Sequence, residues 1–155
     1  MKNILLSLIF TLPFIVVGQT EKVKEPWEIG CDTMETQADM NICSYESYQI
    51  ADSILTSLYS ELESYFNQNL LEEQKNINSK EDTTHNEYIA QIERQIKTVE
   101  KSKSDFYKML SSTTEIMGIQ YEGGSMRPLV LNLYSLQITV NQINLLRIML
   151  EETKM

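Results

Sequence analysis

The chain is poor in the residues from which metal centres and catalytic dyads are built. It has one histidine and two cysteines among 155 residues. The histidine, His85, stands in a polar stretch with no cysteine or acidic cluster at ligand spacing beside it, so neither a zinc-type site nor a catalytic base is expected there. Carboxylates are plentiful, yet no two are marked out as a matched acid and base. No phosphate loop and no nucleophile-plus-base pattern occurs. The expectation is a protein that is not an enzyme, with no catalytic residues, no metal and no cofactor.

Basic residues are also in short supply. Lys and Arg number 13 against 22 Asp and Glu, a net charge of −9. Nucleic acid wants a basic stripe that this chain does not have. An anionic membrane surface wants a basic face, equally missing. A basic protein partner is favoured instead, since opposite fields steer encounter. The rival reading is that net acidity only keeps the domain soluble. Period-two alternation is absent too, which argues against a sheet.

What is present begins with a leader. Lys2 supplies a positive end, and apolar runs follow from Ile4 to Phe10 and from Phe14 to Val17. Val16 and Gly18 are the small residues that precede a cleavage site, so residues 1–18 read as a signal peptide. An uncleaved anchor is the alternative, but the stretch is short of the ~20 apolar residues a spanning helix needs. Pro13 also interrupts it. The expected location is therefore exported, periplasmic or secreted, with no stable membrane anchor after cleavage. Loss of Lys2 would leave a net charge of −10. The rest is enough chain for one domain. It divides into a lead-in, 19–35, read as extended, and a helical domain, 36–155.

Three long helices are expected. Met40, Cys43, Ser47, Ala51, Leu55, Leu58, Leu62 and Tyr65 recur at steps of three and four, which predicts a helix from Thr36 to about Phe66. Thr36 is placed to cap it, with Asp39 near its positive end. Tyr45, Tyr48 and Tyr59 fall off this seam and read as flank residues, with a second packing layer as the alternative. Residues 67–86 turn polar, as a loop or a helical extension. The second helix is expected from about Glu87 to Leu110, with Lys103 in its seam. The third is expected from about Pro128 to Glu152. It is apolar on more than one side, which predicts that it is the most buried. The architecture implied is an all-α antiparallel bundle, with Leu55, Leu58, Val99, Phe106, Leu133, Leu136 and Val140 in one core. Trp27 is expected to pack on the first helix.

Cys31 and Cys43 are the only thiols, and an exported domain with two thiols tends to pair them. An intermolecular bond is the alternative. Between the second and third helices lies Tyr121-Glu122-Gly123-Gly124-Ser125. Paired glycines allow positive φ and close backbone approach. Ser125 could cap the third helix, with Pro128 just inside it. These five residues read either as a plain turn or as a partner-binding loop, with Tyr121 an aromatic anchor and Glu122 a charge.

The landmarks follow a recognisable order. Cys31 is followed by Thr36-Gln37, Met40-Asn41, Cys43, Ala51-Asp52, a leucine-bearing helix and a late Tyr121-Glu122-Gly123-Gly124-Ser125. This order resembles the LprI-like lysozyme-inhibitor family, from Cys31 to about Leu150. The resemblance implies an exported binding protein that inhibits a basic, lysozyme-like cell-wall hydrolase by protein–protein contact. The alternative is a structural or envelope-associated helical domain with an unrelated partner. The chain departs from the family's usual pattern in two places. Lys103-Ser104-Asp105-Phe106-Tyr107-Lys108 stands where relatives carry an Arg-Asp segment and a cysteine, and the last cysteine is replaced near Tyr134.

Overall fold

The computed structural model describes residues 24–76 and 83–154. The expected signal peptide and the centre of the polar connector lie outside the described residues. Three helices account for most of what is described: α1 (Gln37–Asn76), α2 (Thr83–Gly118) and α3 (Arg127–Thr153). The fold is all-α, with no strand among the described residues.

Helix α1 starts where its cap dictates. The Asp39 backbone N–H donates to Thr36 Oγ1 at 3.1 Å, and the Thr36 hydroxyl donates to the Asp39 carboxylate at 2.6 Å. One orphan amide of the first turn is thereby satisfied, and a negative charge sits at the positive end of the helix dipole. The helix does not stop near Phe66 but runs on to Asn76. The added segment is rich in Leu, Glu, Gln and Lys, all good helix formers. It also has tertiary support, because Leu70 packs against the core and Glu73 meets His85 of α2 at 2.9 Å. His85 thus links two helices. Helix α2 likewise extends beyond Leu110 to Gly118.

The order of cross-helix contacts gives the topology. Asn132 meets Ser44, and Tyr65 meets the Thr153 carbonyl, so α1 and α3 rise together. Asp52 meets Tyr107 while Glu73 meets His85, so α2 runs the other way.

Helix α1, not α3, is the central element. It buries Cys43, Ser44, Ser47, Ala51, Leu55, Tyr59, Leu62 and Phe66, whereas α3 buries Thr139, Ile143, Leu146 and Leu150. Because α1 packs more extensively against each of the other helices than they pack against each other, its buried face is two rows wide. That corrects two sequence expectations. Tyr59, assigned to the flank, is fully buried, with its hydroxyl accepting from Gln142 Nε2 at 2.9 Å and Lys103 standing over its ring. Leu133, assigned to the core, is 46% exposed. Of the other expected core residues, Leu55, Val99 and Phe106 are buried, and Leu58, Leu136 and Val140 pack partly buried at its edge.

The lead-in is not fully extended. A turn at Pro26 and Trp27 brings the Glu28 N–H onto the Glu25 carbonyl at 2.9 Å, and Cys31–Thr33 forms one 3₁₀ turn. Two anchors hold it. Cys31 and Cys43 are disulfide-bonded, with Cα atoms 5.6 Å apart, within the normal range for a bridge. Arg147 of α3 reaches Glu25 with both terminal nitrogens, at 2.9 and 3.3 Å, and its guanidinium lies over the Trp27 ring at 5.6 Å. Trp27 is buried as expected, covered by a residue of α3. The arginine that interrupts the apolar stripe of α3 therefore has a structural role.

Candidate protein-binding turn

The turn between α2 and α3 is built from short hydrogen-bonded steps. Helix α2 tightens into a 3₁₀ turn over Ile119–Tyr121. The Glu122 N–H then donates to the Ile119 carbonyl at 3.2 Å, and the Gly124 N–H to the Tyr121 carbonyl at 3.0 Å. Gly123 has φ 73°, in the left-handed region that a side chain resists. Nothing crowds its Cα, so backbone conformation is what selects glycine here. Gly118 is held for a different reason: a Cβ there would meet Leu131 Cδ2 at 2.7 Å, where α2 passes close to α3.

Ser125 does not cap α3. Met126 occupies that position with no side-chain cap, and the Arg127 N–H donates instead to the Gly124 carbonyl at 3.2 Å. Pro128 lies in the first turn of α3, as expected, where its missing N–H costs nothing. The Ser125 carbonyl instead accepts from Asn41 Nδ2 at 3.5 Å, which ties the turn to the start of α1. Arg127 reaches Glu115 at 2.7 Å and staples the turn's two ends.

All five residues of the proposed loop, Tyr121 to Ser125, are exposed. Around them lie exposed apolar side chains, Ile116, Ile119 and Met126. Carboxylates stand among these, Glu122 on the turn and Glu115 on α2, with Asp39 on the adjoining first turn of α1. The five residues therefore form an exposed turn at the end of the bundle where α1 begins. The structure adds Ile116 and Ile119, whose only signal in the sequence was an apolar residue beyond the expected end of the second helix.

A second polar constellation lies along the α1–α2 seam. Tyr107 OH donates to Asp52 Oδ1 at 2.9 Å and stands 3.2 Å from Thr56 Oγ1. Burial, reinforced by the Asp52 carboxylate, pushes the Tyr107 phenol up to about 12, even though the Thr56 hydrogen bond acts the other way. Tyr48 is raised as well, again by burial first and then by Asp52. A phenol whose folded value exceeds its unfolded value near 10 favours folding while neutral. The contribution is complete below pH ~10 and disappears as pH climbs from ~10 towards ~12. Tyrosinate absorbance should show Tyr107 among the last phenols to ionise, and Asp52→Asn should bring its titration down. A Tyr107 that titrates with the exposed tyrosines would show that this contact does not hold in solution.

Among the described residues, no group of three His, Cys, Asp or Glu side chains could hold a metal ion. No helix there is long and apolar enough to cross a membrane.

A family model described as Lysozyme inhibitor LprI matches residues 30–146. The chain belongs to the LprI lysozyme-inhibitor family. The match begins beside Cys31 and takes in the disulfide, α1, α2, the turn and most of α3. No curated protein and no solved structure matches the chain. Two family positions that differ in the sequence can now be placed. Tyr134, near which the resemblance placed a replaced cysteine, is exposed on α3. In α2, Asp105 pairs with Lys101 and Lys108 on the solvent side, which holds its carboxyl below the usual range, the Lys101 hydrogen bond being the larger cause. The disulfide of this chain therefore joins the lead-in to α1 and does not cross-link α2 to α3.

Proposed function

We propose that the protein is an exported inhibitor that binds a basic, lysozyme-like cell-wall hydrolase through the turn Tyr121–Ser125. Membership of the LprI family is the observation that carries this reading. The net charge of −9 and the leader-like N-terminus add to it. The turn is exposed along its whole length, so it is open to a partner. Tyr121 supplies an aromatic anchor with little conformational freedom to lose, and the glycines allow the backbone to lie close to a partner. Glu122 and Asp39, with Glu115 paired to Arg127, provide the field that attracts a basic enzyme.

The test is inhibition of a purified basic lysozyme. Tyr121→Ala should weaken it by about 2 kcal/mol, or ~30-fold, as loss of an interface anchor. Glu122→Lys should slow association, with a difference from wild type that shrinks as salt rises. Both variants keep the fold, since both side chains are exposed. No inhibition by the wild type would leave the alternative, an envelope-associated interaction domain with an unrelated partner. Inhibition unchanged in both variants would keep the function and move the site to the flank of α1 that bears Tyr45 and the partly buried Tyr48.

A further inference from the structure

From Pro128 through Leu146 the chain contains no charged residue, the longest such run in an otherwise acidic protein. A helix that is apolar all round is normally buried. Helix α3 is not: Tyr134 is 39% exposed, Leu145 51% and Ile148 54%. These three, with Val130, Gln137 and Asn141, fall at steps of three and four and form one outward stripe. The opposite side of the helix carries the buried Thr139, Ile143, Leu146 and Leu150. The outer surfaces of α1 and α2 are different, studded with charges such as Glu46, Glu63, Glu93 and Lys97.

We infer that the outward stripe of α3 is a homodimer interface in which two copies pair antiparallel about Asn141. Charge selects the occupant. A basic partner gains nothing from a face without carboxylates, whereas two copies at −9 repel one another wherever their acidic surfaces meet. The charge-free face of α3 is where they can approach. The pattern of the stripe selects the geometry. Counted outward from Asn141, Tyr134 and Ile148 are equidistant, as are Gln137 and Leu145. A two-fold axis at Asn141 therefore sets Tyr134 of one copy against Ile148 of the other. It also sets Asn141 against itself, an amide pair that fixes register within an apolar seam. The same arrangement sets Val130 of one copy against Glu152 at the other's exposed end, and it opposes the helix dipoles favourably. A parallel pair would stack Glu152 on Glu152. At 27 residues α3 is about 40 Å long, so the stripe from Val130 to Ile148 runs along most of one side of the bundle. The turn at Tyr121–Ser125 stands outside this seam, so dimer formation and partner binding are independent.

The experiment is sedimentation equilibrium of the disulfide-bridged protein across a concentration series. The expected result is twice the chain mass at high concentration, reverting to one chain mass in Leu145→Glu and in Ile148→Glu with helical content unchanged. Both positions are exposed in the single chain, so neither variant disturbs its core. Under oxidising conditions Asn141→Cys should cross-link to itself, whereas Tyr134→Cys should not, because only the axial residue meets its own copy. A single chain mass at every concentration would overturn the inference. So would cross-linking at Tyr134→Cys but not at Asn141→Cys. Adsorption of a monomer to phosphatidylcholine vesicles through this stripe would also overturn it, by assigning the face to a lipid surface.

Discussion

Replacing Leu55 by Ala is expected to destabilise the protein by about 2–5 kcal/mol, measured by denaturant unfolding. Leu55 is completely buried, in the row of α1 that faces both other helices. The substitution removes the transfer energy of its lost carbons and leaves a cavity lined by elements that cannot all relax at once. The comparison that gives the result meaning is Leu133→Ala. Both leucines lie on the helical stripes visible in the sequence, but Leu133 is nearly half exposed. Under dilute conditions its loss should change stability by no more than ~0.5 kcal/mol. Equal costs at the two positions would mean that α3 is rotated from the orientation described here.

Removing the disulfide, as a Cys31→Ser, Cys43→Ser double variant or by reduction, should cost about 3 kcal/mol, the chain-entropy value for so short a loop. The cysteines are separated by 12 positions. The effect should also be local in a way that can be seen. Trp27 is the only tryptophan, it is buried, and it lies on the lead-in that the bridge secures. Without the bridge, the lead-in keeps the Arg147–Glu25 contact, a partly exposed ion pair worth little on its own. Trp27 emission should therefore shift towards that of a solvated indole before the helices melt. Coincident loss of tryptophan burial and helicity would show that the remaining contacts hold the lead-in as tightly as the bridge does. An unchanged midpoint would show that the bridge contributes no stability.

Much of the fold was legible because it depends on local pattern. Steps of three and four located all three helices, and Thr36 with Asp39 located the start of α1 by capping chemistry that is local. Two thiols in an otherwise cysteine-free chain pointed to their pairing. What failed did so for non-local reasons. The end of α1 was set too early because Asn67–Asn76 looks like a polar linker until Leu70 and Glu73 meet the rest of the bundle. Ser125 looked like a cap, but the backbone reaches back to Gly124 instead, and the Ser125 carbonyl serves Asn41.

The candidate site was legible as a segment. Tyr121 to Ser125 stood out by their glycines, and nothing in the residues themselves said that all five would be exposed. Ile116 and Ile119 join them because α2 continues past its expected end, and Asn41 because α1 begins at the same end of the bundle.

The sequence by itself determined the class of fold, the acidic field, the disulfide partners and the identity of the turn. Each rests on composition or on spacing within a few turns of chain. Only the tertiary structure decided which helix is central. Periodicity reports that a helix has an apolar side, but not how extensively its neighbours pack on it. Each helix touches the other two, but α1 packs most extensively on both, so Tyr59 goes inside; α3 keeps a face free of neighbours, so Leu133, Leu145 and Ile148 stay out. The most apolar helix therefore became the one with an uncovered side, because burial depends on where a helix stands among its partners as well as on its residues.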